Sequence, residues 1–304
     1  YYRMLDIIET PEYKDFVQVA QYFYGTKEYY SFFYANNYPI AYMKQTGIKT
    51  IEEDDGVGGT RQVQVPEFKT YYIYPIPISL YEVLGGLIPM VLNLDEEKMQ
   101  GSNPETIKMS YLDFLLYKTI KDNNQTLFFL LWEVLSQCLH LAKDKIDMNT
   151  DDSGKLHFYL DDVEIEPEEF DEIRNIILEQ NNIEKVDLSI HPSIRQKLKE
   201  AEEFKRSHNK NKMCSFEDLK YRIMAKTGIS FEEINKMSIR QFTKLLESCE
   251  VLSNYELEMI LSPNLEKKDQ QNIKHWLSDI SKSKKDTIEE NSIEFEEMKA
   301  KLSI

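Results

Sequence analysis

The chain has 304 residues, 30% of them charged and 12% aromatic, and a formal net charge of -16. That length accommodates two or three domains and a sizeable core, while the acidic balance repels phosphate backbones and argues against nucleic acid as a direct partner. Cys138, Cys214 and Cys249 are odd in number and too widely spaced for a zinc knuckle, so free thiols in a reducing compartment are expected.

More than half of the aromatic residues lie before residue 83. The first helix signal is Thr10-Pro11-Glu12: a hydroxyl to cap, a proline whose missing N–H costs nothing there, and an acid facing the positive helix end. Phe16, Val17, Ala20 and Tyr24 follow at helical spacing, and Gly25 ends the element. The rings of Tyr29, Tyr30, Phe32, Phe33 and Tyr34 have only Lys27 and Lys44 as nearby cations, too few for a base-stacking platform. Packing or a protein interface accounts for them better, and with Tyr71, Tyr72 and Tyr74 they form the candidate interface set.

Ile48 to Ile51, the acidic run Glu52-Glu53-Asp54-Asp55-Gly56, and the alternating Arg61-Gln62-Val63-Gln64-Val65 predict a hairpin around a solvated loop. Its glycines do not form a phosphate cradle. Gly56-Val57-Gly58-Gly59-Thr60 lacks the lysine and following helix of a P-loop, and carboxylates precede it. Tyr71 to Ile78 is an extended apolar stretch confined by Pro75 and Pro77 to an edge or a path outside any ladder. After Gly85-Gly86, the run LIPMVLNL fits a lid or insertion across a partner as well as a sheet.

From Ser110 a helical face of Leu112, Leu115, Leu116 and Ile120 appears, and Asn123-Asn124 break it. Thr126 to Ala142 is the most apolar run, interrupted by Glu133, Ser136, Gln137 and His140; it is shorter than the roughly 20 residues of a bilayer span and reads as a buried helix. Cys138 and His140 on that helix point away from each other, giving a packed thiol and a hydrogen-bonded histidine in place of a metal pair. Asp147 to Gly154 offers oxygen ligands at alternate positions, but Asp152 and Phe158 stand where a calcium loop needs glycine and glutamate, so a hairpin turn is expected. Leu156 to Leu160, a two-residue Asp161-Asp162 turn and Val163 to Ile165 make the next hairpin. Pro167 opens a helix with Glu168, Glu169, Asp171 and Glu172 as a solvated acidic start and Phe170, Ile173, Ile176 and Ile177 as its apolar face.

Ser193 to Lys212 is nearly all polar and marks a boundary. Beyond it Ser215 with Asp218, Ser230 with Glu233, Ser238 with Gln241 and Ser253 with Glu256 each repeat a capping-box signal. Short apolar stripes follow each, predicting a compact bundle of small helices closed by Ile273, Trp276, Leu277 and Ile280. Ile288, Phe295 and Leu302 are spaced seven apart in a charged tail. The histidines His140, His157, His191, His208 and His275 share no spacing with a nucleophile, so no hydrolase site is expected.

The stretch Ile165 to Asn181, the block Met237-Ser238-Ile239-Arg240-Gln241-Phe242, Tyr255-Glu256 and Ile273-Lys274-His275-Trp276 resemble tail-morphogenesis proteins of large contractile-tailed bacteriophages of Gram-positive bacteria. Those are described as tail assembly chaperones or baseplate components. The resemblance spans roughly the last 140 residues and implies a non-catalytic tail protein without cofactor or metal, present in multiple copies in the virion tail or acting in the host cytoplasm during assembly. Implied partners are other tail or baseplate proteins, with the tape measure protein as one candidate. A bacterial adaptor or regulatory protein is the alternative. The expected fold class is α+β: an aromatic-rich mixed region over 1–105, a helical middle with a β-hairpin over 106–192, a charged linker helix over 193–213, a small helical bundle over 214–280 and a charged tail helix over 281–304.

Overall fold

Alternating apolar and polar residues on either side of the acidic turn build a long antiparallel hairpin, β1 (Ile40–Asp54) and β2 (Thr60–Ile73), in register from Ile40↔Ile73 to Asp54↔Thr60 with one irregularity between Gln45 and Gly47. The computed structural model describes residues 33, 38–54, 60–100, 104–121, 125–151, 155–186, 188, 193–197, 200 and 215–264. The helix start expected at Thr10, the closing residues Ile273 to Ile280, the tail helix and most of the charged linker lie outside them.

Of the segments left undecided by sequence, Tyr71–Ile73 ends β2 and the chain from Tyr74 to Pro77 is irregular, whereas the run after Gly86 is helical. Chain direction turns at Pro77, and α1 (Ile78–Leu84) and α2 (Leu87–Leu92) follow, with Ile78, Leu84, Ile88, Val91 and Leu92 buried. Proline at residue 77 suits this path, since it stands just before the helix where a backbone N–H is not needed. Short helices α3 (Asp95–Gln100) and α4 (Pro104–Lys108) lead into α5 (Tyr111–Lys121). On α5, Leu112, Leu115 and Leu116 are buried as the spacing predicts, whereas Ile120 is exposed.

Helix α6 (Gln125–Leu139) carries the expected core face, with Leu127, Leu131, Val134, Leu135, Cys138 and Leu139 buried. It stops one residue before His140, whose φ of 52° ends the helical path, so His140 is not on the helix as expected. Three strands follow, β3 (Ile146–Thr150), β4 (Leu156–Leu160) and β5 (Val163–Glu164), in one antiparallel sheet of that order. Asp161 and Asp162 both take positive φ, 48° and 64°, the conformation a tight two-residue hairpin turn requires. Part of the segment weighed as a cation loop is β3, so Asp147 and Asn149 lie along a strand paired with Tyr159 and His157.

Helix α7 (Pro167–Gln180) buries Phe170, Ile173, Ile176 and Ile177, and the backbone N–H of Glu166 donates to Glu169 Oε2 at 2.8 Å. These residues, the base of the hairpin, α2, α5, α6, β3 and β4 share one core. Among the described residues no single helix is long and apolar enough to cross a bilayer; a bent pair, Ile78–Leu84 with Leu87–Met99, passes on length and composition. Much of that pair's apolar surface is turned into the core.

The chain divides into two compact units at Thr243/Lys244, and not at the charged stretch 193–213. Helices α8 (Phe216–Thr227), α9 (Phe231–Lys236) and the first turn of α10 (Ile239–Leu261) belong to the first unit. The reason is visible at α1: Ile78 N–H donates to Met237 O at 2.8 Å, Pro77 bridges to Ser238, and Lys220 pairs with Glu82 at 3.3 Å. Ile223, Ile234 and Phe242 are buried there, so residues 215–243 do not form the separate bundle expected. Ser215, Ser230 and Ser238 each cap as predicted, with reciprocal bonds to Asp218, Glu233 and Gln241. Ser253 does not start a helix but lies inside α10. Within the second unit the rest of α10 runs to a 3-10 turn at Ser262–Asn264 and leaves Leu257, Met259, Ile260 and Leu261 exposed. The chain is thus α+β.

Candidate functional site

The hairpin has two ends of opposite character. Its base is held from several sides: Tyr71 Oη donates to Leu160 O at 2.7 Å, Lys44 Nζ bonds Glu169 Oε2 at 2.5 Å, and Gln180 Nε2 donates to Ile73 O at 3.1 Å. Lys69 pairs with Asp161, which also meets Lys145 at 3.2 Å. Hydrogen bonds from Lys69 and Lys145 hold the Asp161 carboxyl below its ordinary value, and burial raises Tyr71, with Asp161 and Glu169 adding to it. The positive φ of the Asp161-Asp162 turn is what lets β4 and β5 present these groups to β2.

Beyond Gln45 and Phe68 the two strands continue as a pair. Ile48 is 65% exposed, Ile51 39% and Phe68 50%. A two-stranded ribbon leaves an unpaired row of backbone donors and acceptors on each outer edge, and isolated hairpins are only marginally stable in water. An arm rooted in a core and carrying open apolar side chains has the chemistry of a surface that meets another polypeptide.

The structure places the candidate interface rings elsewhere. Phe33, Tyr71 and Tyr74 are buried inside the first unit and Tyr72 is half-buried against its core, so the packing role holds for them and the interface role does not. The physical cause is that the hairpin base is covered on both faces: Ala41 and Tyr42, neighbours that point to opposite sides, are both buried. Tyr29, Tyr30, Phe32 and Tyr34 lie outside the described residues. Sequence reasoning passed over Ile48, Ile51 and Phe68 as interface residues. Strand alternation was visible around them, but where their cover ends was not.

Two further groups bear on chemistry. Tyr74 N–H donates to Cys138 O at 2.7 Å, and its ring stacks on His140 at 3.7 Å between centroids. Burial pushes the Cys138 thiol up to about 12 and lowers His140, so neither is charged near neutrality. His157 lies between Glu164 Oε1 at 2.5 Å and Asp151 Oδ2 at 3.3 Å; those bonds, Glu164 first, raise it above its ordinary value. Among the described residues no group of three or more His, Cys, Asp or Glu side chains is arranged to hold a metal ion.

The least expected polar residue is Arg174 on α7, only 2% exposed. Its Nε donates to Leu92 O at 2.6 Å, its other nitrogens pair with Asp95 and with Asp171, the latter at 3.3 Å, and the guanidinium lies 3.6 Å over the Tyr111 ring. Tyr111 Oη in turn donates to Val91 O at 2.8 Å and accepts from Leu94 N–H at 3.1 Å. Planar stacking with forked donors is what suits arginine to such a position. The cluster satisfies the backbone at the end of α2.

Comparison with protein families, with curated proteins and with solved structures finds no match to this chain.

Proposed function

We propose that this chain is a non-catalytic bacteriophage tail protein, built into the baseplate or tail tip or serving as an assembly chaperone for it, and that it works through protein–protein contacts. The observation that carries the interaction part is the hairpin, whose base is tied into the core by Tyr71, Lys44 and Lys69 while Ile48, Ile51 and Phe68 stand in solvent. The tail assignment is supported by the sequence resemblance of Ile165 to Asn181 and Met237 to Phe242. In the fold these two stretches are α7 with the residues that flank it and the junction into α10, tied to each other by Arg240 Nη1 and Glu179 Oε1 at 3.0 Å.

Purified virions settle the role. Peptide mass mapping that finds the chain at a stoichiometric copy number makes it a structural component. Its absence from virions, together with defective tails when the gene is deleted, makes it a chaperone. Normal tails without the gene, or a gene outside any phage or prophage, would end the tail reading. The arm is tested separately: Ile48→Ser with Phe68→Ser should abolish capture of the tail partner while leaving the fold intact.

A further inference from the structure

We infer that residues 215–243 form a clip that closes on α1 and opens from it as one unit, with the Lys220–Glu82 ion pair as its lock. The inference needs only the contacts around α1 and does not rest on the tail reading.

The clip has an interior of its own. Ile223, Ile234, Ile239 and Phe242 are buried, and the Phe216 and Phe242 rings meet at 5.0 Å between centroids. None of these residues belongs to the core that α2, α5, α6 and α7 share. Supersecondary units with a small core separate from the main one open cooperatively below the free energy of global unfolding. The chain between α7 and the clip does little to tether it, since Ser193 to Lys212 is nearly all polar and Leu188 and Ile194 are exposed.

Closure is made at α1. No side chain caps that helix at Pro77; Ile78 N–H donates to Met237 O at 2.8 Å, and Pro77 bridges Ser238. The start of α1 thus takes its acceptor from the far end of α9. Tyr81 packs against the main core and also stacks on Phe216, 6.4 Å between centroids, which puts it at the joint. Arg240 reaches Glu179 at 3.0 Å, a solvent-exposed pair that adds little to closure.

Lys220 sets the balance between closed and open. Its side chain is only 5% exposed, with Nζ at 3.3 Å from Glu82 Oε2 and at 5.2 and 5.5 Å from the centres of the Phe216 and Phe231 rings. Glu82 is the one charged residue from Tyr74 to Leu94, so α1 and α2 offer no second carboxylate. Without it the closed clip would keep an uncompensated ammonium that opening returns to water. With the ammonium replaced by an apolar chain, that drive to open disappears.

Native-state hydrogen exchange on the full chain, read residue by residue, tests the clip. The amides of Ile78, Ile223 and Ile234 should exchange together and faster than those of Leu135 in α6 and Ile177 in α7, because Ile78 loses its acceptor when the clip lifts. Glu82→Gln should speed those three amides by roughly ten- to a hundredfold, the effect of losing one charge-assisted bond, and leave Leu135 and Ile177 as in the parent. Lys220→Met should keep the three within about threefold of the parent, and adding it to Glu82→Gln should cancel most of the acceleration. Exchange of Ile223 and Ile234 as slow as Ile177 in the parent overturns the proposal, as does an Ile78 amide that follows Leu135. Acceleration of Leu135 and Ile177 alongside the three in Glu82→Gln overturns it too, since the clip would then not open by itself. An unaccelerated Glu82→Gln, or a double variant as fast as Glu82→Gln alone, removes the lock and the proposal with it.

Discussion

Arg174 shows how one side chain can decide whether a loop closes. Its guanidinium gathers Leu92 O, Asp95 and Asp171 beneath the Tyr111 ring, so the end of α2 and the start of α3 are joined to α7 through a single residue. Removing Arg174 forfeits its charge-assisted bonds to Leu92 O and Asp95 while Asp95 and Asp171 keep contact with solvent, which costs about 1.5–3 kcal/mol. Arg174→Met should lower stability by that amount in urea unfolding, and Arg174→Lys should recover only part because an ammonium lacks the planar fork. His157 gives a pH test. Its bonds to Glu164 and Asp151 favour the protonated ring and raise its folded pKa, with Lys155 opposing. Its contribution is therefore complete below the unfolded value of about 6.5 and is lost as pH rises through the higher folded value. His157→Asn should flatten that part of the stability profile, measured as the unfolding midpoint between about pH 6 and 8. Neither residue stood out in the sequence, because a lone arginine in a helix and a lone histidine in a strand acquire meaning only from partners distant along the chain.

Helix starts were the most legible elements, and the exception among them is instructive. Ser215, Ser230 and Ser238 meet their acid or amide three residues on and satisfy free N–H groups, whereas Ser253 has the same spacing inside α10. A capping box stabilises only where a helix would otherwise begin, and α10 already supplies those N–H groups with carbonyls one turn back. Ser230→Ala should thus cost about 0.5–2 kcal/mol. Ser253→Ala should be neutral or slightly stabilising, since alanine is the better helix former. Thermal unfolding of the two variants side by side reads the difference. The α7 face and the Asp161-Asp162 turn were equally readable, because periodicity and turn chemistry are local. The α1 and α2 segments were not, since their prolines and glycines also permit extended chain, and only burial of Ile88, Val91 and Leu92 selects helix.

Across the molecule, the arm and the core divide along β1 and β2 themselves. Tyr71→Ala at the hairpin base should cost about 3–5 kcal/mol, as expected of a buried aromatic truncated to alanine. Phe68→Ser, three residues away, should stay within about 0.5 kcal/mol. Chemical denaturation of the two variants locates where the core ends. The sequence alone determined the α+β class, the hairpin, though Glu52 to Asp54 continue β1 where a loop was expected, the buried α6 and α7 faces and the capped helix starts, because each depends on spacing within a few turns or strands. It could not determine that Phe33, Tyr71 and Tyr74 are core while Ile48, Ile51 and Phe68 are exposed, or that residues 215–243 join α1 and do not stand alone. An aromatic side chain carries the same hydrophobic drive in an interior as at an interface. Only the tertiary structure, by bringing β4, α6 and α7 over one end of the hairpin and leaving the other uncovered, decides which surface remains for a partner.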